Sequence, residues 1–194
     1  MNCTVISFYT PDWRYPEYAD NLRQDCRSQG LEFLIDEVPS HGDYVKNCNI
    51  KPRFIREKLY QLKSPVLWID VDGSLLKAPE LLLSHTIGEY DIAGNRVTNN
   101  TERIYVGSIW FNYTKTTLDF LDTWVDIVDN SIDDAAFNGV WKKFKDRLRL
   151  FSLPPEYFFI HKKPTIEVPE DTVILHRLSS SDLKWQYKNK VEKK

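Results

Sequence analysis

No run of about eighteen apolar residues occurs in this 194-residue sequence, so no membrane-crossing helix can be read from it. Cysteine is scarce: Cys3, Cys26 and Cys48 are the only three, and none shares a Cys-x-x-Cys spacing. An odd count without that spacing argues against a disulfide framework or a zinc site and favours reduced thiols. Neither sign of charge dominates, since 26 basic residues meet 28 acidic ones for a net charge of −2. That balance carries no electrostatic footprint for nucleic acid. The one basic cluster, in the tail at 179–194, reads as a solvated terminus. The start, MNCTVISFYT, lacks the basic region and long apolar core of a signal peptide. With the reduced thiols, this sets the expectation of a cytoplasmic protein. The Asn-x-Ser/Thr triplets at Asn2, Asn99 and Asn112 are then chance matches. No repeat, low-complexity tract or linker divides the chain.

Hydrophobic residues at 42% and aromatics at 13% are ample for a packed core. Cys3 to Tyr9, β-branched and aromatic, reads as a strand halted by Thr10-Pro11-Asp12. Tyr18, Leu22 and Cys26 recur every fourth residue and predict a helix over 16–29, closed by Gly30. A second strand is expected at Leu31–Val38, and the composition of 39–50 suggests loop. Pro52 opens a helix to residue 62, and the wholly apolar Val66–Ile69 leads a third strand into Asp70. The order β-α-β-α-β predicts a parallel three-layer beginning. Further on, a short helix is expected around Glu80–Ser84, with strands at Tyr90–Ala93 and Ile104–Asn112. Helices over 115–129 and about 133–146 follow, and the last strand is expected at Thr172–Leu175, just before His176.

The third strand ends in the stretch "SPVLWIDVDGSLLKAP", residues 64–79. In an open α/β sheet, ligands bind beyond the carboxyl ends of the strands, where Asp70 and Asp72 fall. Two carboxylates one residue apart in a turn can converge on one hard cation. A plain acidic turn with Gly73 in a left-handed conformation is the alternative.

Two families share this local pattern. "IDVDGSLL" resembles the first motif of haloacid-dehalogenase-like phosphohydrolases, which implies Asp70 as nucleophile, Asp72 as general acid/base and a Mg2+ ion. That motif belongs to a first strand, whereas here a β-α-β-α block precedes it. The acidic pair Asp133-Asp134 opens a helix, which is the wrong context for that family's later carboxylates. The order of features along the whole chain is similar to glycosyltransferases of the GT-A fold, the nucleotide-diphospho-sugar transferases with a DxD motif. The segments are "TVISFYT", "KPRFIREKLYQL", "PVLWIDVDGSLLKAP", "YDIAGNR", "YVGSIWFNYT", "DDAAFNGV", "LPPEYF" and "VILHRL". The resemblance spans residues 3 to about 178. It implies one transferase domain over 1–178 and a three-layer, Rossmann-like α/β/α fold with a mostly parallel sheet.

The same resemblance implies a hexosyl- or pentosyltransferase that moves a sugar from a nucleotide donor, UDP-linked by preference, to an unknown acceptor. It assigns Asp72 to direct coordination of a divalent metal, Mn2+ or Mg2+, and Asp70 to the metal shell and the ribose. His176 is the implied third ligand, with an ordinary core or surface histidine as the other reading. The pattern departs after His176, because "HRLSSSDLKW" has no glycine and a longer gap to Lys184. Tyr9 and Thr10 fall at a strand end where the base would sit. Lys51 and Arg53 would reach the nucleotide, or else form a solvated basic face. Gly107 and Ser108 would let the backbone approach the donor sugar, or mark a bulge. Asp133 and Asp134 are the acceptor-side candidates. One is expected to cap its helix, and the other to serve as a base if the reaction inverts the anomeric centre. A nucleotide-sugar-binding domain without turnover remains a further alternative.

Overall fold

A computed structural model of the chain describes residues 3–97, 100–161 and 165–177. The tail at 179–194, with Lys184, and the triplet positions Asn2 and Asn99 lie outside the described residues.

Alternation along the first strand sets the layers. In β1 (Thr4–Tyr9), Val5 and Ile6 enter different hydrophobic clusters, as expected when both faces of a strand are covered. The same split recurs in β3 (Val66–Ile69), where Leu67 and Ile69 join one cluster and Val66 and Trp68 the other. Helix α1 (Tyr15–Ser28) buries Ala19, Leu22 and Cys26 against the first cluster. Helices α3 (Lys51–Leu62), α5 (Lys115–Val128) and α6 (Asp133–Phe144) cover the second.

Between these layers lies a six-stranded sheet. Besides β1 and β3 it contains β2 (Phe33–Glu37), β5 (Ile92–Val97), β6 (Asn100–Phe111) and β7 (Leu150–Ser152). The order is β2-β1-β3-β6-β5-β7. Only β6 runs against the rest, so the sheet is mostly parallel and the architecture is the expected three-layer α/β/α. A second sheet of three short strands, β4 (Gly73–Leu75), β8 (Phe159–Ile160) and β9 (Ile174–His176), stands beside the DxD turn.

Several expectations shift. The stretch 39–50 is not all loop, because Asp43 accepts from the Lys46 N–H and caps α2 (Tyr44–Cys48). Strands β4, β7 and β8 were not foreseen, being too short for periodicity to register. The strand expected at Tyr90–Ala93 begins at Ile92 and runs to Val97. The last strand is Ile174–His176, which puts His176 inside the ladder rather than beyond it. Gly30 does take the left-handed conformation after α1, with φ +66°. The three cysteines are unpaired.

Candidate active site

The site begins at the carboxyl end of β3. The Asp70 N–H donates to Gly107 O on β6 at 2.7 Å, and the Gly73 N–H closes a turn on Asp70 O at 2.7 Å. Gly73 does not have the positive φ of a left-handed turn residue. Space is what demands glycine here: a Cβ would lie 2.7 Å from the Ile69 side chain. The turn therefore passes Asp70 and Asp72 straight from the large sheet into β4 of the small one.

Lys51, at the start of α3, binds both acidic motifs. Its Nζ lies 2.8 Å from Asp70 Oδ1 and 2.7 Å from Asp133 Oδ2, at the first turn of α6. It also lies 5.4 Å from the centre of the Trp68 ring, whose Nε1 donates to the same Asp70 oxygen at 2.9 Å. The Lys51 side chain is only 7% exposed. Burial alone would lower its pKa, but Asp133 and Asp70 outweigh that and hold the ammonium well above the ordinary lysine value. Burial pushes the Asp70 carboxyl up, against the pull of Lys51.

His176 packs against Gly107 and pairs with Gly73 of the DxD turn. Its Nε2 lies 3.2 Å from Ser108 Oγ, and the Phe158 ring stacks on it at 4.1 Å. Tyr105 stacks in turn on Phe158 at 4.4 Å. Burial, aided by the Lys51 charge, lowers the His176 pKa to about 3, so the ring is neutral at neutral pH. Gly107 makes room for this stack: a Cβ there would fall 3.0 Å from the imidazole and 3.1 Å from the Phe158 ring.

A cleft of about 770 Å³ joins these groups and is also lined by Tyr9 and Thr10. Of the residues singled out in the sequence, Lys51, Asp70, Asp72, Gly107, Asp133, Asp134 and His176 line it as well. Arg53 and Ser108 do not. The Arg53 guanidinium turns to Asp129, 2.6 Å away, and Ser108 is buried beneath His176. Neither acidic residue of α6 caps its helix, whose N-cap is Ile132. Asp133 is held by Lys51, while Asp134 pairs with Arg103 at 2.7 Å and accepts from the Asn138 amide.

The structure adds residues that sequence reasoning missed. Tyr15, Tyr44 and Cys48 line the cleft near the end of β1. Burial, then the neighbouring Tyr44 and Asp72, hold the Tyr15 hydroxyl above its ordinary range, and burial pushes the Cys48 thiol to about 12. Trp13, at φ 56°, sits edge-on against Tyr15 and Tyr18. Tyr105 could have been found by alternation, since it precedes Gly107 by two residues on one face of β6. Arg177 directly follows His176 and also lines the cleft.

Among the described residues, no three His, Cys, Asp or Glu side chains gather into a metal cluster. The cleft nonetheless suits a cation. Asp12, Asp70, Asp72, Asp133 and Asp134 line it against Lys51 and Arg177, and Arg103 offsets Asp134. Two carboxylates with the remaining ligands drawn from substrate phosphates and water is a common arrangement for magnesium.

No family model matches the chain, and no curated protein matches it. Solved structures do match. One is a glycosyltransferase involved in the glycosylation of the major capsid of PBCV-1, at TM-score 0.72 and 15% identity, with 95% of this chain and 96% of that one covered. The fold is that of solved glycosyltransferases. A second is the galactosyltransferase LgtC in complex with donor and acceptor sugar analogs, at TM-score 0.57, 11% identity, and coverage of 89% and 86%. A third is the apo structure of the bifunctional glycosyltransferase WbbM, at TM-score 0.62 and 12% identity. It matches 90% of this chain, which spans 45% of that longer protein.

Proposed function

We propose that this chain is a metal-dependent glycosyltransferase moving a hexose or pentose from a nucleoside-diphosphate sugar to an acceptor hydroxyl. One observation carries the reading. The turn between β3 and β4 delivers Asp70 and Asp72 into a cleft where, among the described residues, carboxylates outnumber cations, on a fold shared with glycosyltransferases. A bare acidic cleft would repel a diphosphate, so a divalent cation is the natural mediator. Asp72 and Asp70 would hold it, and the neutral His176 is the candidate for a further ligand. When bound, Mn2+ or Mg2+ offsets the charge that develops on the leaving diphosphate.

The chain's own residues supply the positioning. Lys51 fixes Asp70 and Asp133 relative to each other across two elements. Asp133, tied to that ammonium, is suited to orient donor hydroxyls. Asp134 has a side chain 43% exposed and stands at the cleft, so it is the candidate base for an inverting reaction. A retaining reaction needs no such base. The uridine preference rests on family resemblance alone.

Thermal-shift measurements with Mn2+ and a panel of nucleoside diphosphates test this reading. The expected result is stabilisation requiring both metal and nucleotide, with UDP giving the largest shift. At a concentration one hundred times the dissociation constant the gain is about 2.7 kcal/mol. No response to any nucleotide, together with phosphate-ester hydrolysis through an aspartyl-phosphate at Asp70, would transfer the case to a phosphohydrolase. Nucleotide binding with no sugar hydrolysis or transfer would leave a binding domain.

A further inference from the structure

Strand β6 is irregular where it meets the cleft. Its register with β5 moves from Gly94–Ile109 to Arg96–Ile104, so two steps of β5 oppose five of β6. A bulge of this kind bends the strand and re-aims its side chains. The residues inside it include Tyr105, Val106 and Gly107, and all three line the cleft. Asp134 is anchored beside them. Arg103 pairs with it at 2.7 Å, while the Asn138 side chain bonds both its carboxylate and the Ile104 N–H at 2.8 Å.

The bulge helps to build a column of rings. Phe158 stacks on His176 at 4.1 Å and on Tyr105 at 4.4 Å, the second pair within 9° of parallel. Two rings this close to a third cannot share one of its faces, so Phe158 lies between them and Tyr105 ends the column. The column leads away from the DxD turn, since His176 is the ring that pairs with Gly73. Elsewhere Trp110, Trp124, Phe111, Phe120 and Phe137 are fully buried. Tyr105 and Phe158 stay half-buried on the cleft wall. An aromatic face kept in an open cleft, next to a carboxylate and a guanidinium, makes one apolar and one polar demand on its ligand. A sugar ring meets both, with C–H bonds on its flat face and hydroxyls at its edge.

We propose that the acceptor is itself a carbohydrate and that its ring stacks on Tyr105, with hydroxyls directed to the Asp134–Arg103 pair; this rests on the glycosyltransferase reading above. The donor's diphosphate belongs at the DxD turn, and the donor sugar follows one bond further along. A second ring beyond that sugar arrives at the Tyr105 end of the column. Tyr105 holds the acceptor and exchanges no atom with it. A serine or threonine side chain offers no face of C–H bonds to cover the ring, so a protein hydroxyl would leave this platform bare.

Saturation-transfer NMR on the full chain, held with Mg2+ and UDP, tests the assignment. The probes are the methyl glycosides of glucose, galactose, mannose and xylose, with N-acetylserine amide for comparison. Wild type is compared with Tyr105→Phe, Tyr105→Leu and Tyr105→Ala, each checked by calorimetry for its UDP affinity. At least one glycoside is expected to receive saturation on the C–H protons of one ring face, and the serine amide none. Its affinity should stay within about twofold in the Phe variant and fall about fivefold or more in the Leu and Ala variants. Leucine keeps apolar bulk without a π face, so wild-type affinity in the Leu variant overturns the stacking. Silent glycosides in a chain that binds UDP overturn the carbohydrate acceptor. Sensitivity to Tyr105 confined to the hexose of UDP-glucose or UDP-galactose overturns the acceptor role, because the ring then faces the donor. UDP affinity falling in parallel with glycoside affinity also overturns it, since that marks a structural effect on the cleft. If the wild type binds no nucleoside diphosphate, the glycosyltransferase reading falls and the Tyr105 assignment with it.

Discussion

Lys51 and Arg53 show how two similar residues in sequence acquire different fates. They stand two apart on α3, and a helix turns about 200° over two residues, so they face nearly opposite sides. Lys51 goes inward, to Asp70 and Asp133, while Arg53 meets Asp129 at the surface. The sequence left both as either nucleotide contacts or a solvated basic face. Sequence spacing sets the angle between them, but only the packed position of α3 says which one meets the site. Replacing Lys51 with Met leaves two inward carboxylates without their cation. The expected cost is about 3 kcal/mol, at the low end for a broken buried pair because Asp70 keeps some solvent contact. Urea unfolding at neutral pH measures it, and adding Asp133→Asn to the Met variant is expected to recover part of the loss. A Met variant as stable as wild type would show that the ammonium does not hold this corner.

At the scale of elements, the long helices were legible, as was the short helix α4 (Glu80–Leu83), while strands β4, β7 and β8 were not. Helices α1, α3, α5 and α6 carry enough apolar repeats to be read within a residue or two of their ends. Strands of two or three residues, such as β4 and β8, exist because their neighbours offer a ladder, which no local pattern encodes. Asp91 illustrates how such junctions are pinned. Its buried carboxylate accepts from the Arg149 backbone N–H at 2.9 Å and from the Thr114 hydroxyl at 2.7 Å, joining the starts of β5, β7 and α5. Burial would raise its pKa, but Arg149 and Thr114 outweigh that and hold it below the ordinary carboxylate value. A lowered folded value means that the unfolded chain binds more protons over the intervening range. The stabilisation is therefore complete above the unfolded value of about 3.9 and is lost as pH falls through the folded one. Asp91→Asn is expected to cost about 1–3 kcal/mol at pH 7, less the nearer the pH comes to 3. Urea midpoints at both pH values check this, and an equal cost at both would refute the titration account.

For the whole molecule, the two hydrophobic clusters lie on opposite faces of one shared sheet, so neither can come apart without exposing the other. Urea unfolding followed by tryptophan fluorescence and by far-ultraviolet circular dichroism is expected to give coincident single transitions. Two separated transitions would mean that the layers unfold independently. The sequence by itself determined the layered class, because apolar strands flanked by amphipathic helices can bury both faces only in that way. It also determined that a pair of carboxylates closes the third strand. Tertiary structure alone decided what those carboxylates meet. Asp133, Lys51 and Asp70 come from three separate elements, and His176 with Arg177 arrives through a three-residue strand from the far end of the chain. Contacts of that kind depend on how elements dock, and docking is a property of shape and register that a single chain's periodicity does not record.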